Sequence, residues 1–372
     1  LPWQQAGWQE LVASWIESQI FAYGWQPTGS VEPVHQRPWS VFSRIPTDHG
    51  TVYFKAPAPA FRYEAALTRL LAEWYPQVTV PLLAVEPEQG WLLSAGTGDT
   101  LRAICRTPEQ IPHWLRLLPA YAEMQMETAR RVPDVLAAGV PDRRLARLPG
   151  LFTELLQDEE ALLVGRESGL TPDEYRRLQE GQATFAEQCA RLADYGLPET
   201  LVHEELHENN VLYGDGRYIY TDWSDASVGH PFFTMLVTLR SIAHWLQLPE
   251  EGPELKQVRD AYLEPWTRFA SRAELEAALR LAYRLGMVNR SLSWYAGLRD
   301  RGARGESRLR GQRARLEEHR QVLPHRTAEP HHVEHDRRTV VRRIVGYLVT
   351  AHLLDTLARA RHHEGQQIVG PA

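Results

Sequence analysis

Cysteine and lysine are both scarce in this chain of 372 residues. Its two cysteines, Cys105 and Cys189, lie far apart and lack the short spacing of a zinc site, so we expect reduced thiols in a cytoplasmic protein. Lys55 and Lys256 are the only lysines among 41 basic residues, and the others are arginines. Because arginine does not replace lysine where a compact point charge is needed, each lysine is a candidate for such a site.

Long hydrophobic runs and a positive net charge are also missing. The most apolar stretch near the C-terminus, residues 344–357, has only 14 residues, which is too short to span a membrane. Residues 1–5 lack the basic and apolar regions of a signal peptide. A net charge of −6 argues against a general nucleic-acid binder and mildly favours a cationic or neutral substrate. We therefore expect neither a membrane nor nucleic acid as a partner.

Chemically active side chains are concentrated in residues 201–233. Residues 211–213 and 218–221 are β-type runs, and Gly214-Asp215-Gly216 between them is typical of a tight hairpin turn. Such a hairpin brings its two flanks together. The flanks carry carboxylates, an amide and an imidazole, namely His203, Glu204, Glu205 and Asn210 before the hairpin and Asp222 and Asp225 after it. These groups at one end of a rigid ribbon predict a divalent-cation site.

Two interpretations of residues 203–207 are open. The sequence His-Glu-Glu-Leu-His fits the H-E-x-x-H pattern of a zinc hydrolase, which requires a helix to place both imidazoles on one face. Pro198 lies only a few residues before the motif, and the hairpin follows soon after it. Because this leaves room for barely one helical turn, the context favours the second interpretation, in which these residues form a loop.

The same segment resembles the catalytic segment of the aminoglycoside phosphotransferase and choline kinase-like family. That family has H-G-D-x-x-x-x-N, a short hairpin, and then a metal-binding D-W-x-D. This chain has His203, Glu205 and Asn210 at the matching spacing, with Asp222-Trp223-Ser224-Asp225 after the hairpin and Gly-His-Pro-Phe at 229–232. It departs from the pattern at Glu204, where the family has glycine, and at Glu205, where the family has aspartate.

The resemblance implies an ATP-dependent phosphotransferase that uses Mg²⁺ and phosphorylates a hydroxyl of a small molecule. In the catalytic loop 203–210, Glu205 would accept the hydroxyl proton and His203 would support the loop. Asp222, in the segment 222–225, would bind the metal, and Asn210 would provide a second metal position. The aspartate-to-glutamate change leaves open an alternative, a kinase-fold protein that binds nucleotide with little or no turnover.

The resemblance also implies a nucleotide site in the N-terminal part. Lys55, at the end of a strand, would hold the ATP phosphates, and Glu64, in the first turn of the next helix, would hold Lys55. Residues 94–99, beginning with Ser94, suit the hinge that contacts adenine. A glycine-rich phosphate loop and a Walker P-loop are absent, so Walker-type NTPases are excluded. A phosphate lid at residues 36–40 must then use backbone N–H groups, with Ser40 as a further candidate.

The acceptor is not identified by the sequence. An aminoglycoside, a choline-like amine, a sugar and an amino alcohol all fit the implied reaction. Asp225 and the aromatic residues Trp223, Trp294 and Tyr295 are candidates for contacts with it, by stacking or cation–π interaction, although the three aromatic residues could equally be core. A histidine cluster at 325–335 and an arginine run at 299–320 are more typical of an exposed loop and a solvated helix face.

The hydrophobic periodicity predicts strands in the N-terminal part and helices after it, and the resemblance implies an α+β, two-lobed protein kinase-like fold. Residues 1–95 would form a small β-sheet N-lobe with an extra N-terminal helix at 7–23. Its strands are predicted at 31–34, 39–45, 51–56, 82–85 and 91–93, with a helix at 61–74. Residues 96–372 would form a large, mostly helical C-lobe. Its helices are predicted at 114–129, 143–157, 172–193, 232–246, 254–269, 273–295, 306–320 and 337–361.

Overall fold

A five-stranded antiparallel sheet in the order β1-β2-β3-β5-β4 forms the N-terminal part of the computed structural model, which describes residues 1–104, 106–316, 338 and 340–349. The strands are β1 (Glu32–Gln36), β2 (Ser40–Thr47), β3 (Gly50–Pro57), β4 (Leu82–Glu86) and β5 (Trp91–Ala95). All five predicted strands are confirmed within a few residues. β-Branched and aromatic residues make up half of β2 and half of β3, and they favour extended backbone there.

The extra N-terminal helix, α1 (Trp8–Ala22), packs on one face of this sheet. Its buried residues Ile16 and Ile20 share a hydrophobic cluster with Val52 and Phe54 of β3. Since side chains alternate across a strand, Lys55, which follows Phe54, is presented to the opposite face. The cluster on the α1 face thus fixes the direction in which Lys55 points.

The helix α2 (Tyr63–Trp74) follows β3 after a short 3₁₀ turn, in agreement with the predicted helix at 61–74. The further described helices are α3 (Leu101–Ile104), α4 (Ile111–Thr128), α5 (Val132–Ala137), α6 (Leu148–Gln157), α7 (Pro172–Glu180), α8 (Gln182–Ala193), α9 (Thr234–Leu246), α10 (Pro253–Leu263) and α11 (Arg272–Leu316), and residues 340–349 are also helical.

Residues 201–233 contain several short strands, and one further short strand, β6, pairs with β8. They are β6 (Asp99–Thr100), β7 (Thr200–Val202), β8 (Val211–Gly214), β9 (Arg217–Tyr220) and β10 (Ser227–Gly229). The turn of the β8–β9 hairpin is made by Asp215 and Gly216, both with positive φ (50° and 75°). This is the pattern of a type I′ turn, whose twist suits a two-residue hairpin. The predicted hairpin is therefore confirmed.

Several predicted helices have different limits. Residues 143–147 lie outside α6, and Gly181 separates α7 from α8, so the continuous helix expected at 172–193 is wrong. The two helices expected at 273–295 and 306–320 are joined as one helix, α11, as far as Leu316. The histidine cluster at 325–335 lies outside the described residues. Residues 317–320 of the arginine run and residues 337, 339 and 350–361 of the last predicted helix also lie outside them.

The chain divides into two compact units, residues 1–145 with 192–283 and residues 146–191 with 284–372. The first unit contains the five-stranded sheet, the hairpin and both of its flanks. The boundary at residue 95 between an N-lobe and a C-lobe falls inside this unit and stays a prediction. Within the described part of the chain, each helix is either too short or too polar to cross a membrane.

Candidate active site

A cavity of about 660 Å³ lies in the first unit, where the β-sheet faces the β8–β9 hairpin. Its lining includes Lys55 from β3, Glu64 from α2, residues 94–100, which contain the predicted hinge 94–99, and, from the hairpin flanks, Asn210 and Asp222. Residues far apart in sequence therefore meet in one concave site large enough for a nucleotide.

Lys55 is the centre of an ion triad in this cavity. Its Nζ donates to Glu64 Oε1 at 2.7 Å and to Asp222 Oδ1 at 2.6 Å. The Lys55 and Glu64 side chains are only 14% and 2% exposed, whereas that of Asp222 is 40% exposed. Because water screens the Lys55–Asp222 pair, this contact positions the two groups more than it stabilises the fold.

The triad sets the protonation of its members. Burial alone would lower the pKa of Lys55, but the Asp222 and Glu64 carboxylates outweigh it and raise the pKa well above its ordinary value. Desolvation would raise the pKa of Asp222, but the Lys55 ammonium outweighs it and holds the pKa well below its ordinary value. Burial raises the pKa of Glu64 to about 7, against the opposing effect of Lys55. At neutral pH the ammonium and the Asp222 carboxylate are therefore charged.

Asp222 has a left-handed backbone conformation, with φ 61° and ψ 66°. Such a conformation is unfavourable for a residue other than glycine and is held by its surroundings. Here Ser224 Oγ donates to Asp222 Oδ1 at 2.7 Å, and Tyr63 donates to the carbonyl oxygens of Ser224 and Ala226. These contacts aim the carboxylate of Asp222 into the cavity.

His203 supports the catalytic loop, as the resemblance implies. Its ring Nε2 lies 2.8 Å from the Thr221 carbonyl oxygen, and its Nδ1 accepts from the Glu205 backbone N–H at 3.2 Å. The imidazole thus ties the loop before the hairpin to the strand end after it. Burial lowers the pKa of His203 to about 4, so that the ring is neutral at pH 7.

The zinc-hydrolase interpretation is wrong. Residues 203–207 form turns rather than a helix, so the two imidazoles are not placed on one helix face. Both ring nitrogens of His203 are also engaged in hydrogen bonds within the protein. The loop interpretation is the one that the structure supports.

Glu204 has a structural partner that the sequence did not indicate. Its carboxylate accepts from Arg143 Nη1 at 3.0 Å and from the hydroxyl of Ser227. The Glu204 and Arg143 side chains are 2% and 5% exposed. Because adjacent side chains of a loop diverge and the spacing to Asn210 selects Glu205, the sequence predicts that Glu204 points away from the acceptor, towards a surface. Instead, its carboxylate is buried in the ion pair with Arg143.

Replacing Glu204 by glutamine is expected to lower the free energy of unfolding by about 3–5 kcal/mol, because it removes one charge of a buried ion pair and leaves the Arg143 guanidinium buried without the Glu204 carboxylate. Urea unfolding followed by circular dichroism measures this loss. The double variant Glu204→Leu/Arg143→Met, which removes both charges, should recover much of the stability. A loss below 1 kcal/mol for Glu204→Gln would contradict a buried pair.

Asn210 and Asp222 fit the binding of a hard divalent cation. Asn210 Nδ2 donates to the Glu205 carbonyl oxygen at 3.0 Å, so the amide oxygen is the atom left for a ligand. Lys55 and Ser224 both contact Oδ1 of Asp222, and among the described residues Oδ2 has no recorded partner. Carboxylate and amide oxygens are the donors that Mg²⁺ prefers.

A second buried carboxylate anchors the middle of the catalytic loop. Glu208, fully buried, accepts from the Arg102 guanidinium and from Ser241 Oγ at 2.7 Å. Arg102 also lies over the Trp245 ring, with 4.2 Å from Cζ to the ring centroid. Residues just after the hinge are thereby fixed to the loop. Sequence reasoning missed this contact because the partners are more than 100 residues apart.

The other predicted site residues are distributed as follows. Ser40, Ser94 and Trp223 line the cavity, and Trp223 is nearly buried there, 4.5 Å from the His203 ring between ring centroids. Glu205, in the loop 203–210, and Asp225, in the segment 222–225, are both half-buried. Trp294 and Tyr295 belong to the second unit, where the Tyr295 hydroxyl donates to Asp158 Oδ2 at 2.9 Å. The functional roles of all these residues stay predictions.

His230 is a buried histidine whose titration opposes folding in acid. Burial lowers its pKa to about 3 from an ordinary 6.5, and its Nε2 has no partner among the described residues. Above pH 6.5 the ring is neutral in the folded and the unfolded protein, and its burial has no charge to oppose it. Stability is then lost progressively as the pH falls from 6.5 to about 3. Replacing His230 by phenylalanine should therefore flatten the acid loss of unfolding free energy by about 1.4 kcal/mol per pH unit between pH 6 and 4. Equal slopes in chemical denaturation of both proteins would contradict this.

The chain belongs to the phosphotransferase enzyme family, whose sequence profile (APH) matches residues 28–275. This match covers the sheet, the hinge, the catalytic loop and the metal-binding segment. The resemblance identified from residues 201–233 is therefore confirmed. No curated protein sequence matches the chain.

Solved structures show the same fold at low sequence identity. Choline kinase from Cryptosporidium parvum Iowa II is 12% identical, with a TM-score of 0.53, and the match covers 83% of this chain and 97% of that one. Plasmodium vivax ethanolamine kinase is 12% identical, with a TM-score of 0.51 and coverages of 74% and 81%. A protein from Ralstonia eutropha JMP134, assigned as an aminoglycoside phosphotransferase, is 14% identical, with a TM-score of 0.51 and coverages of 91% and 98%. The two-lobed kinase-like fold is thus confirmed.

Proposed function

We propose that the protein transfers the γ-phosphoryl group of ATP to a hydroxyl of a small molecule, with Mg²⁺ as cofactor. The observation that carries this proposal is the Lys55 triad. One ammonium joins a carboxylate of the N-terminal sheet region to a carboxylate beyond the hairpin, across a cavity that also contains Asn210. Phosphoryl transfer requires such positioned charges and little covalent chemistry from the protein.

Each residue then has a defined task. Lys55, held by Glu64, would bind the phosphates of ATP, while Asp222 and Asn210 would hold Mg²⁺ through oxygen atoms. Mg²⁺ neutralises the charge of the phosphates when it is bound. The oxygen of the acceptor hydroxyl forms the new bond to phosphorus, and Glu205 accepts the proton of that hydroxyl. ADP leaves with the electrons of the broken P–O bond. His203 keeps the Glu205 backbone in place.

A hydroxylated amine is the acceptor class that we favour. The net charge of −6 makes a cationic substrate more favourable than an anionic one. The choline kinase, the ethanolamine kinase and the aminoglycoside phosphotransferase with similar folds are all named for amine-bearing alcohols. A panel of amino alcohols, aminoglycosides and sugars, assayed by ADP release, separates these classes.

The nucleotide site is tested by replacing Lys55 with methionine, which keeps the length of the side chain and removes its charge. We expect ATP affinity or turnover to fall at least about tenfold, equivalent to 1.4 kcal/mol. Lys55→Arg should also be impaired, since a planar guanidinium cannot occupy the compact position between two carboxylates. Isothermal titration calorimetry with Mg²⁺–ATP measures the affinity without an acceptor.

The other lysine provides the matched control. Lys256 lies exposed on α10, and it is not among the residues that line the cavity. Lys256→Met should bind ATP as the wild type does. If Lys55→Met and Lys256→Met both retain the wild-type affinity and rate, Lys55 is not part of the nucleotide site.

A further inference from the structure

The hairpin between β1 and β2 forms one wall of the cavity and faces the Lys55 end. Arg37, Trp39 and Ser40 of this connection line the cavity, together with His35 of β1. In many nucleotide sites a connection at this position is rich in glycine, so that backbone N–H groups can approach the phosphates. This connection contains no glycine and has a proline at 38.

Its backbone donors are largely committed to the hairpin itself. The Arg37 N–H donates to the Ser40 carbonyl oxygen at 2.8 Å, and the Ser40 N–H donates to the Arg37 carbonyl oxygen at 3.3 Å. Pro38 has no N–H group. The expectation that backbone N–H groups of this lid bind phosphate is therefore wrong for Arg37, Pro38 and Ser40.

Basic side chains line the cavity beside this connection. Burial lowers the pKa of the His35 imidazole, and the positive charges of Arg37 and Lys55 lower it further. Arg37 is exposed, and no carboxylate of the described residues is recorded in an ion pair with it. Arg37, His35 and Lys55 thus all line the cavity. The charge of Lys55 is balanced by Glu64 and Asp222, and the His35 imidazole is neutral at pH 7, so Arg37 is the cation of this wall that is left to pair with an anion.

His35 is held in place by aromatic stacking. Its ring lies parallel to that of Phe42, with 5.5 Å between centroids and 25° between planes. Phe42 stacks in turn on Tyr53, at 5.4 Å and 6°. These rings all line the cavity and join three neighbouring strands. The strands that carry the β1–β2 connection, and with it Arg37, are therefore held together by stacked rings.

We propose that Arg37, assisted by His35, binds the terminal phosphates of the nucleotide in place of a glycine-rich loop. This inference rests on the proposed function, since it assumes that ATP occupies the cavity. A guanidinium donates two parallel hydrogen bonds to phosphate oxygens, which a backbone amide cannot do. Arg37 and Lys55 then hold the phosphates from two sides, one from the β1–β2 hairpin and the other from β3.

The test compares ligands that differ only in the number of phosphates. Calorimetric titrations of ATP, ADP and adenosine, each with Mg²⁺, are carried out on the wild type, Arg37→Met and His35→Phe. The phenylalanine preserves the ring stack and removes the imidazole nitrogens. For Arg37→Met we expect the dissociation constant to rise tenfold or more for ATP, less for ADP, and not at all for adenosine. His35→Phe should show the same order with smaller changes.

Arg44 provides a matched control on the next strand. It is exposed and is paired with Glu32 at 2.6 Å, and it is not among the residues that line the cavity. Arg44→Met should therefore bind all three ligands as the wild type does. An unchanged ATP affinity in Arg37→Met would overturn the inference while leaving the proposed function intact. An equal loss for ATP and adenosine would also overturn it, because the hairpin and not the phosphate contact would then be affected. If the wild type itself fails to bind ATP, the proposed function fails first.

Discussion

Replacing Asp222 by asparagine is expected to reduce phosphoryl transfer on the order of 10³-fold, with the fold unchanged. The substitution keeps the size of the side chain and its oxygen but removes the charge that pairs with Lys55 at 2.6 Å and would hold Mg²⁺. The effect can be measured before an acceptor is known. Mg²⁺ should strengthen ATP binding to the wild type, compared with binding in EDTA, and should do so much less for Asp222→Asn.

The matched control for this variant is Asp215→Asn. Asp215 lies at the tip of the β8–β9 turn, with φ 50°, a conformation that asparagine also tolerates. It should keep the wild-type response to Mg²⁺. If Asp222→Asn shows the same gain in ATP affinity from Mg²⁺ as the wild type, Asp222 does not hold the metal and the assignment of the site is wrong.

Replacing Glu205 by glutamine is expected to lower kcat on the order of 10²-fold or more, with little change in ATP binding. Glutamine keeps the shape of the side chain but cannot accept the hydroxyl proton. Glu205→Asp should retain substantial activity, because it restores the carboxylate that the family has at this position. Steady-state kinetics with an identified acceptor, together with calorimetric ATP titrations, measure both quantities.

Glu204 separates a catalytic effect from a structural one in the same loop. Its carboxylate is bound to Arg143 and Ser227, so Glu204→Gln should lose stability. The part that remains folded at low temperature should still turn over. If Glu205→Gln has wild-type kcat while Glu204→Gln reduces it in the folded protein, the two glutamates have been assigned the wrong roles. If neither variant reduces kcat, this loop does not supply the base.

Local sequence signals predicted much of this structure. The β8–β9 hairpin follows from two β-type runs and a Gly-Asp-Gly turn, and Lys55 was found because lysine is so rare in the chain. Spacing alone distinguished Glu205 from Glu204. In each case the information lies within a few residues, where turn geometry and side-chain alternation act directly.

Long-range partners could not be predicted in the same way. Arg143 and Glu204 are 61 residues apart, and Arg102 and Glu208 are 106 residues apart. Nothing in either neighbourhood indicates the pairing, which depends on how the helices pack. The long helix α11 was divided in the prediction because its apolar periodicity is interrupted, whereas its backbone continues through a charged stretch.

The claim that this protein is a small-molecule kinase is tested most directly by acceptor-dependent ADP release. Purified wild-type protein with Mg²⁺ and ATP is assayed against amino alcohols, aminoglycosides and sugars, with Lys55→Met as the blank. The account predicts that at least one hydroxylated compound releases ADP with an equal amount of its phosphate monoester, detected by ³¹P NMR, and that the blank releases at least about tenfold less. A wild type that binds Mg²⁺–ATP yet forms no phosphate monoester with any of these compounds would contradict it and would indicate a nucleotide-binding protein without turnover.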